Sequence, residues 1–409
     1  MDHAGGGSID AMDARRFDRT ARAALAAAVV AAAIGLAAVP APTIAFGAPE
    51  VDDPATAVAS AALDELSLVD RAGQVVMTSL PGERGAVLTS RTRRQLARLR
   101  PGGVIVFGEN YRSRAQLTRL LRSAQAAARA GSAGSFDMLV SIDQEGGVVK
   151  RIPTAPPFNS HPRLGALDRV DVTKRQAAAT AVALRRLGIT MDLAPVADLD
   201  EGPRRVMRER SFGRSSFLVS RHVAAFVRGL QSSSVAAAVK HFPGFGGASV
   251  NSDDALATIT RTRTQLAFDL RPFQAAVAAG TESVMVSHGV YRWIDRRRPA
   301  STSPAVYRML RRDLGFDGVA ITDSLHADGF GAAARTSVPV GCVQVIRAGA
   351  DIALLTGSLT DALRCRAQLV AAVRDGRLSR ARLDEAAVRV LRLKVHLGAG
   401  PGDATQAGG

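Results

Sequence analysis

Lys240 and His241 stand at the exit of a short apolar run, Ser234 to Val239, and are followed by Phe242-Pro243-Gly244-Phe245-Gly246-Gly247. The run has the look of a buried strand, and Pro243 with the glycines turns the chain off any regular ladder. A cation and an imidazole at the end of an apolar strand are costly unless polar groups meet them there. Asp253 and Asp254 follow on the same loop. Lysine is scarce in this chain: there are four, Lys150, Lys174, Lys240 and Lys394, against a background rich in Arg. Taken alone, the stretch also fits a strand, a turn and a solvated acidic loop. What decides between the readings is what other parts of the chain bring to the same place.

From Pro54 onward, apolar strand-like runs alternate with amphipathic helix-like ones eight times. The strands read as 74–79, 103–107, 138–143, 190–197, 236–241, 283–288, 318–323 and 351–355. Helical segments between them include 113–130, 172–187, 217–232, 270–279, 304–314, 338–348 and 359–375, with 379–397 closing the chain. Gly188, Gly280, Gly315 and Gly349 fall just past helix ends, where a left-handed residue is wanted. Eight strand–helix units predict a single (β/α)8 barrel over residues 55–398. A doubly wound sheet is the alternative, but no Gly-x-Gly-x-x-Gly follows any strand.

In such a barrel the active site forms at the carboxyl ends of the strands. Strand three ends in Asp143-Gln144-Glu145-Gly146-Gly147, with Lys150 and Arg151 beyond. Asp198, Asp200 and Arg210-Ser211-Phe212-Gly213 follow strand four. Strand five gives Lys240-His241, strand six Ser287-His288, and strand seven Thr322-Asp323-Ser324. One polar strand end is ordinarily a satisfied structural group. Five on one rim predict a pocket of carboxylates and cations suited to a polyhydroxylated ligand.

These motifs resemble glycoside hydrolase family 3, in its single-domain β-N-acetylglucosaminidase (β-hexosaminidase) branch. The resemblance rests on Ile142-Asp143-Gln144-Glu145-Gly146-Gly147, Leu193-Ala194-Pro195-Val196-Ala197-Asp198, Glu209-Arg210-Ser211-Phe212-Gly213, Lys240-His241-Phe242-Pro243-Gly244, and Gly315-Phe316-Asp317-Gly318-Val319 with Thr322-Asp323-Ser324-Leu325. It implies a retaining hydrolase that removes β-linked N-acetylhexosamine through a glycosyl-enzyme intermediate on Asp323. It also implies that Asp143, Arg151, Arg210, Lys240, His241 and His288 hold the sugar. No metal or organic cofactor is implied.

The resemblance breaks on one loop. The branch carries a His after Pro-Gly and an Asp-Ser-His triplet whose His is the acid/base. Here those positions are Phe245 and Asn251-Ser252-Asp253, and no His lies between His241 and His288. Asp253, or Asp254 beside it, is then the candidate acid, with Gly246, Gly247 and Ala248 expected to loosen the loop. His326 is a weaker candidate because it shares the nucleophile's loop. Two alternatives stay open: a catalytically impaired saccharide-binding barrel, and a β-glucosidase-like hydrolase.

The rest of the sequence bounds the setting. Arg15, Arg16, Arg19 and Arg22 precede an uncharged apolar run over 23–39, which Pro40 and Pro42 end. Residues 1–48 therefore read as a signal peptide or N-terminal anchor, and 399–409 as a disordered tail. The expectation is a secreted or envelope-associated protein of bacterial type, touching membrane only through 23–39. Its partners would be saccharides, peptidoglycan fragments among them. The formal charge is +16 but is spread along the chain without a nucleic-acid-reading motif, so no nucleic-acid partner is expected. Cys342 and Cys365 lie in successive helical segments with no metal-binding spacing. Whether they pair is left open by the sequence.

Overall fold

A computed structural model describes residues 53–81, 87–130, 136–202 and 205–399. The 23–39 run and residues 400–409 of the expected tail lie outside them. Eight strands, β1 Val76–Ser79, β2 Gly103–Val106, β3 Leu139–Ile142, β4 Met191–Asp192, β5 Ala236–Phe242, β6 Ser283–Val286, β7 Val319–Thr322 and β8 Ala353–Leu355, alternate with helices. Each pairs in parallel with its neighbours in chain order. β8 returns to β1 through Val76↔Ala353 and Met77↔Leu354. An Ile321↔Ile352 bridge joins β7 to the lead-in of β8 and closes the ring. The architecture is the expected (β/α)8 barrel.

Alternate strand residues face opposite sides. Met77, Ile105, Leu139, Met191, Ala236, Met285, Ile321 and Leu354 fill the interior. Val76, Val104, Val140, Ala237, Val284 and Ala320 face the helices. Both faces are buried, which is why the strands read as continuous apolar runs. Val390, Leu393 and Leu397, from the closing helix Arg380–His396 and its end, pack into the interior cluster and form the barrel floor.

Two boundaries differ from the sequence reading by more than two residues. The fourth strand stops at Asp192, because Pro195 has no N–H to give a ladder. The chain rejoins β5 beyond the proline, where Lys240 N donates to Pro195 O (3.1 Å) and Ala197 N to Lys240 O (2.6 Å). The helix expected from Leu270 begins at Arg263 and continues through Pro272. A reciprocal cap sets that start: Thr262 Oγ1 accepts from Gln265 N, and Gln265 Oε1 accepts from Thr262 N.

One connection matters for the site. After β3 the chain forms a hairpin, Gln144–Gly146 with Val149–Lys150. Gly146 and Gly147 turn it with φ of 89° and 64°, conformations that a Cβ disfavours. A Cβ on Gly146 would also lie 2.8 Å from Asn159 O.

Cys342 and Cys365 form a disulfide between the helices Val338–Ala348 and Leu359–Arg374, with Cα atoms 5.8 Å apart. It closes a loop with a sequence separation of 23. Loop-closure entropy for such a length is worth about 3 kcal/mol. Replacing both cysteines by Ser should lower the unfolding free energy by about that amount without changing catalysis at 25 °C. Urea unfolding with parallel turnover measurements checks this. An unchanged midpoint would mean the cross-link adds nothing to the helix packing.

Among the described residues no helix is long and apolar enough to cross a membrane. No described cluster of His, Cys, Asp and Glu is arranged to hold a metal ion.

Candidate active site

The carboxyl ends of the strands surround a cavity of about 510 Å³. Asp143, Arg151, Arg210, Lys240, His241, Asp253 and Asp323 all line it. The structure thus brings together seven of the eight residues expected from sequence.

The cations are held in a lattice of carboxylates. Lys240, nearly fully buried, donates from Nζ to Asp143 Oδ1 (2.6 Å) and also lies 2.7 Å from Glu145 Oε1. Arg210 meets Glu145 side-on, with Nε 3.0 Å from Oε2 and Nη2 2.6 Å from Oε1. Arg151 lies 3.6 Å from Asp143 Oδ2. Burial alone would raise the Glu145 carboxyl, but the Lys240 ammonium and the Arg210 guanidinium outweigh it and hold it well below the usual carboxylate range. Glu145 is therefore a fixed anion that aims two cations at the cavity, and it has no exposed edge left for a ligand. Below the lattice, Asp192 is fully buried and accepts from Gln144 N (2.9 Å). Burial pushes its carboxyl up to about 8, so near neutral pH it is largely protonated and adds little charge.

His241 is oriented by Asp198, which is wholly buried. Nδ1–H donates to Asp198 Oδ2 (2.6 Å), and the same carboxylate accepts from Phe245 N (2.5 Å). Nδ1 is thus spent on the scaffold, leaving Nε2 as the ring's other hydrogen-bonding atom. Phe245 fills the place of the absent family His with a buried ring 6.0 Å from His241.

Asp323 stands at the end of β7, its Oδ1 accepting from Ser324 N (2.8 Å). Burial pushes its carboxyl up, but His241, His288, the Ser324 N–H and Lys240 together push it below the ordinary value. Asp253 behaves oppositely. Crowding by protein atoms and the charge of Asp323 raise its carboxyl, against a lowering hydrogen bond from Asn251. The Asn251 amide donates from Nδ2 to Asp253 Oδ2 (3.1 Å), and Asn251 Oδ1 accepts from Asp253 N (3.2 Å). Asp254 does not line the cavity.

The Asp253 loop is tethered. Asp253 O accepts from Asp328 N (3.1 Å) and Ser252 O from Gly329 N (3.0 Å), both at the start of the helix Asp328–Ala334 that follows the Asp323 loop. Gly246 is not a loosening element here. Its Cα faces Leu199, where a Cβ would sit 2.2 Å from the backbone oxygen, so its role is close packing.

His288 is the exception among the expected sugar contacts. It is fully buried behind the wall. Nε2–H donates to Ser324 O (2.8 Å) and Nδ1 accepts from the Ser301 hydroxyl (2.8 Å). Both ring nitrogens are committed to protein, so it braces the Asp323–Ser324 turn rather than meeting ligand. His326 lines the cavity, with its Nε2 turned toward Asp361 Oδ2 at 3.6 Å and its Nδ1 buried without a hydrogen-bond partner.

The chain matches the model of the glycosyl hydrolase family 3 N-terminal domain over residues 67–393. A beta-hexosaminidase of Stenotrophomonas maltophilia (strain K279a) is 35% identical over 291 residues, covering 68% of this chain and 82% of that protein. Among solved structures, a family 3 β-N-acetylglucosaminidase from Paenibacillus sp. str. FPU-7 superposes with a TM-score of 0.76 at 34% identity, covering 84% of this chain. The match spans 65% of that longer Paenibacillus chain. The β-N-acetylhexosaminidase of Beutenbergia cavernae gives 0.73 at 31% identity, with 81% of this chain and 99% of that one covered. With the motifs, the barrel and the cavity in agreement, the chain belongs to glycosyl hydrolase family 3 and is a β-hexosaminidase-like glycosidase that hydrolyses O-glycosyl bonds.

Proposed function

We propose that the chain is a retaining β-N-acetylhexosaminidase in which Asp323 is the nucleophile and Asp253 has taken over the acid/base task. One observation carries the reading: two carboxylates lining the same cavity are pushed in opposite directions, Asp323 down and Asp253 up. Opposed shifts of this kind divide the work of a glycosidase between an ionised and a protonated carboxyl. In the first step Asp323 attacks the anomeric carbon while Asp253 gives its proton to the departing oxygen. In the second, Asp253, now ionised, takes a proton from water, which displaces Asp323 from the sugar. Arg151, Arg210, Lys240 and His241 hold hydroxyls of the bound ring. Asp143 holds Lys240 and offers a carboxylate acceptor.

The substrate class proposed is a β-linked N-acetylhexosamine, with peptidoglycan fragments as one source. The proposed setting is secreted or envelope-associated. The Cys342–Cys365 disulfide supports that setting, since disulfides persist in oxidising compartments.

The test pairs two leaving groups. Hydrolysis of nitrophenyl and dinitrophenyl β-N-acetylglucosaminides is compared for wild type and Asp253→Ala. The dinitrophenolate leaves with little protonation, so its loss should stay under about tenfold, whereas the nitrophenyl substrate should lose on the order of 10²-fold or more. Azide should restore the variant and yield a β-glycosyl azide. Equal losses on both substrates would remove Asp253 from the acid role. If wild type cleaves neither compound yet binds the sugar, the saccharide-binding reading moves ahead.

The pH profile follows from the same shifts. Asp323 must be ionised, so activity falls when pH drops through its depressed value. Asp253 must be protonated, so activity falls again when pH rises through its elevated one. Asn251→Asp with Asp253→His rebuilds the family triplet and replaces a carboxylic acid by an imidazole of higher intrinsic pKa. Its alkaline limb should move up by about one to two pH units. An unmoved limb would mean that another group sets it.

A further inference from the structure

After β6 the chain makes the short strand Val290–Tyr291 and then a loop, Arg292-Trp293-Ile294-Asp295-Arg296-Arg297-Arg298. All four arginines are exposed, and Trp293 keeps 61% of its surface. Asp295, the one carboxylate in the loop, is used to hold the turn. Its Oδ1 accepts from the backbone N of Arg297 (3.0 Å) and of Arg298 (3.2 Å), and its Oδ2 accepts from the Ser303 hydroxyl (2.9 Å). Only Arg298 comes near it as an ion pair, at 4.0 Å.

Arg297 and Arg298 then meet Arg347, from the last turn of the Val338–Ala348 helix, around a cleft of about 320 Å³. Thr302 and Gln344 add neutral polar groups, and among the described residues no carboxylate lines the cleft. Among the described residues neither Arg297 nor Arg347 has an ion-pair partner. Two other groups of arginines in this chain are matched by shared acids. Arg311, Arg382 and Arg389 surround the buried Asp351, and Arg389 and Arg392 share Asp317. The described lining of the open cleft holds no such acid.

Three guanidinium groups held by two elements around a cleft with no carboxylate in its described lining repel one another, and an entering anion relieves the repulsion. The guanidinium fork fits a carboxylate or a phosphate in the same bidentate way. Trp293 precedes Arg297 by four residues, so the two lie within about 14 Å of each other. Its exposed ring offers an apolar face with a polar edge, which suits the C–H face of a sugar. None of these residues lines the catalytic cavity.

We propose that this cleft and Trp293 form a second carbohydrate site that binds an acidic polysaccharide, with its anionic groups on Arg297, Arg298 and Arg347 and a sugar ring on Trp293. Such a site holds the enzyme on a charged glycan while the barrel mouth works on neighbouring saccharides. The net charge of +16 supplies long-range attraction, and the cleft supplies the place.

The test uses the full chain and polygalacturonate as probe, with dextran as the uncharged glycan and polyphosphate as charge without sugar. Binding is measured by affinity electrophoresis and calorimetry at moderate salt. The variant R297E/R298E/R347E is compared with R91E/R93E/R94E, an equal charge change on the exposed face of the Ser90–Leu99 helix. The cleft variant should lose at least tenfold in affinity for polygalacturonate and the control less than threefold. W293A should lose about threefold for polygalacturonate and nothing for polyphosphate. Hydrolysis of a soluble aryl glycoside should be unchanged in every variant, which keeps this site separate from the catalytic reading and reports correct folding. If the triple variant does not fold, R347E alone should still weaken binding about threefold. Equal losses in cleft and control variants overturn the proposal in favour of diffuse charge. Binding to polyphosphate but not to polygalacturonate also overturns it, as does a W293A variant that binds both probes like wild type.

Discussion

Asp323→Ala is expected to lower turnover of both aryl glycosides by on the order of 10⁴-fold or more while leaving the sugar bound. Both leaving groups suffer because each waits for the same bond from carboxylate to anomeric carbon. The proposed sugar contacts do not depend on this side chain. Lys240 is anchored by Asp143 and Glu145, Arg210 by Glu145, and His241 by Asp198. Affinity for N-acetylglucosamine, read by calorimetry, should therefore stay within a few-fold of wild type. Loss of binding together with turnover would assign Asp323 a structural task. Retained turnover of the dinitrophenyl substrate would remove it as nucleophile.

The second large effect is expected at Glu145, which is buried and does not line the cavity. Glu145→Gln keeps the shape and removes the charge. Among the described residues Arg210 then loses its one carboxylate ion-pair partner, and Lys240 keeps only Asp143. Breaking a buried ion pair from one side costs about 3–5 kcal/mol. The variant should unfold at clearly lower denaturant, and KM should rise because Arg210 is no longer held at the cavity wall. The nitrophenyl and dinitrophenyl substrates should suffer alike, unlike the Asp253 variant, since positioning and not protonation is affected. A variant with wild-type stability would show that Asp143 alone can carry the lattice.

The barrel was legible because its strands are buried on both faces and its helices are amphipathic, so chain order and periodicity suffice. Strand ends named Asp143, Lys240, His241 and Asp323. Glu145 and Asp198 were in view at the same ends but were not picked as site residues. Their importance lies in what they hold, Arg210 and His241, and those pairs meet only in space. A hint was available: Glu145 lies two residues from Asp143, the spacing that puts both on one side of an extended chain. His288 lies off the cavity for a reason the sequence does not carry. Its position at a strand end looks like that of His241, and nothing local tells that Ser301 and the Ser324 carbonyl consume both nitrogens. The loop at Asn251–Asp253 was legible as a departure. The choice of Asp253 over Asp254 needed the fold, because adjacent acids differ only in which one faces the cavity.

The floor of the barrel has its own consequence. The helix Arg380–His396 packs beside Pro54–Asp64, and His396 Nε2 lies 3.3 Å from Asp53 Oδ2. The described chain therefore starts and finishes almost at one point, on the side away from the strand ends where Asp323 and Asp253 sit. A chain segment that continues from Asp53 or from Ala399 departs from the blind side of the barrel, opposite the catalytic mouth. A short linker between residues 53 and 399 would let the described chain be reopened at an exposed loop elsewhere.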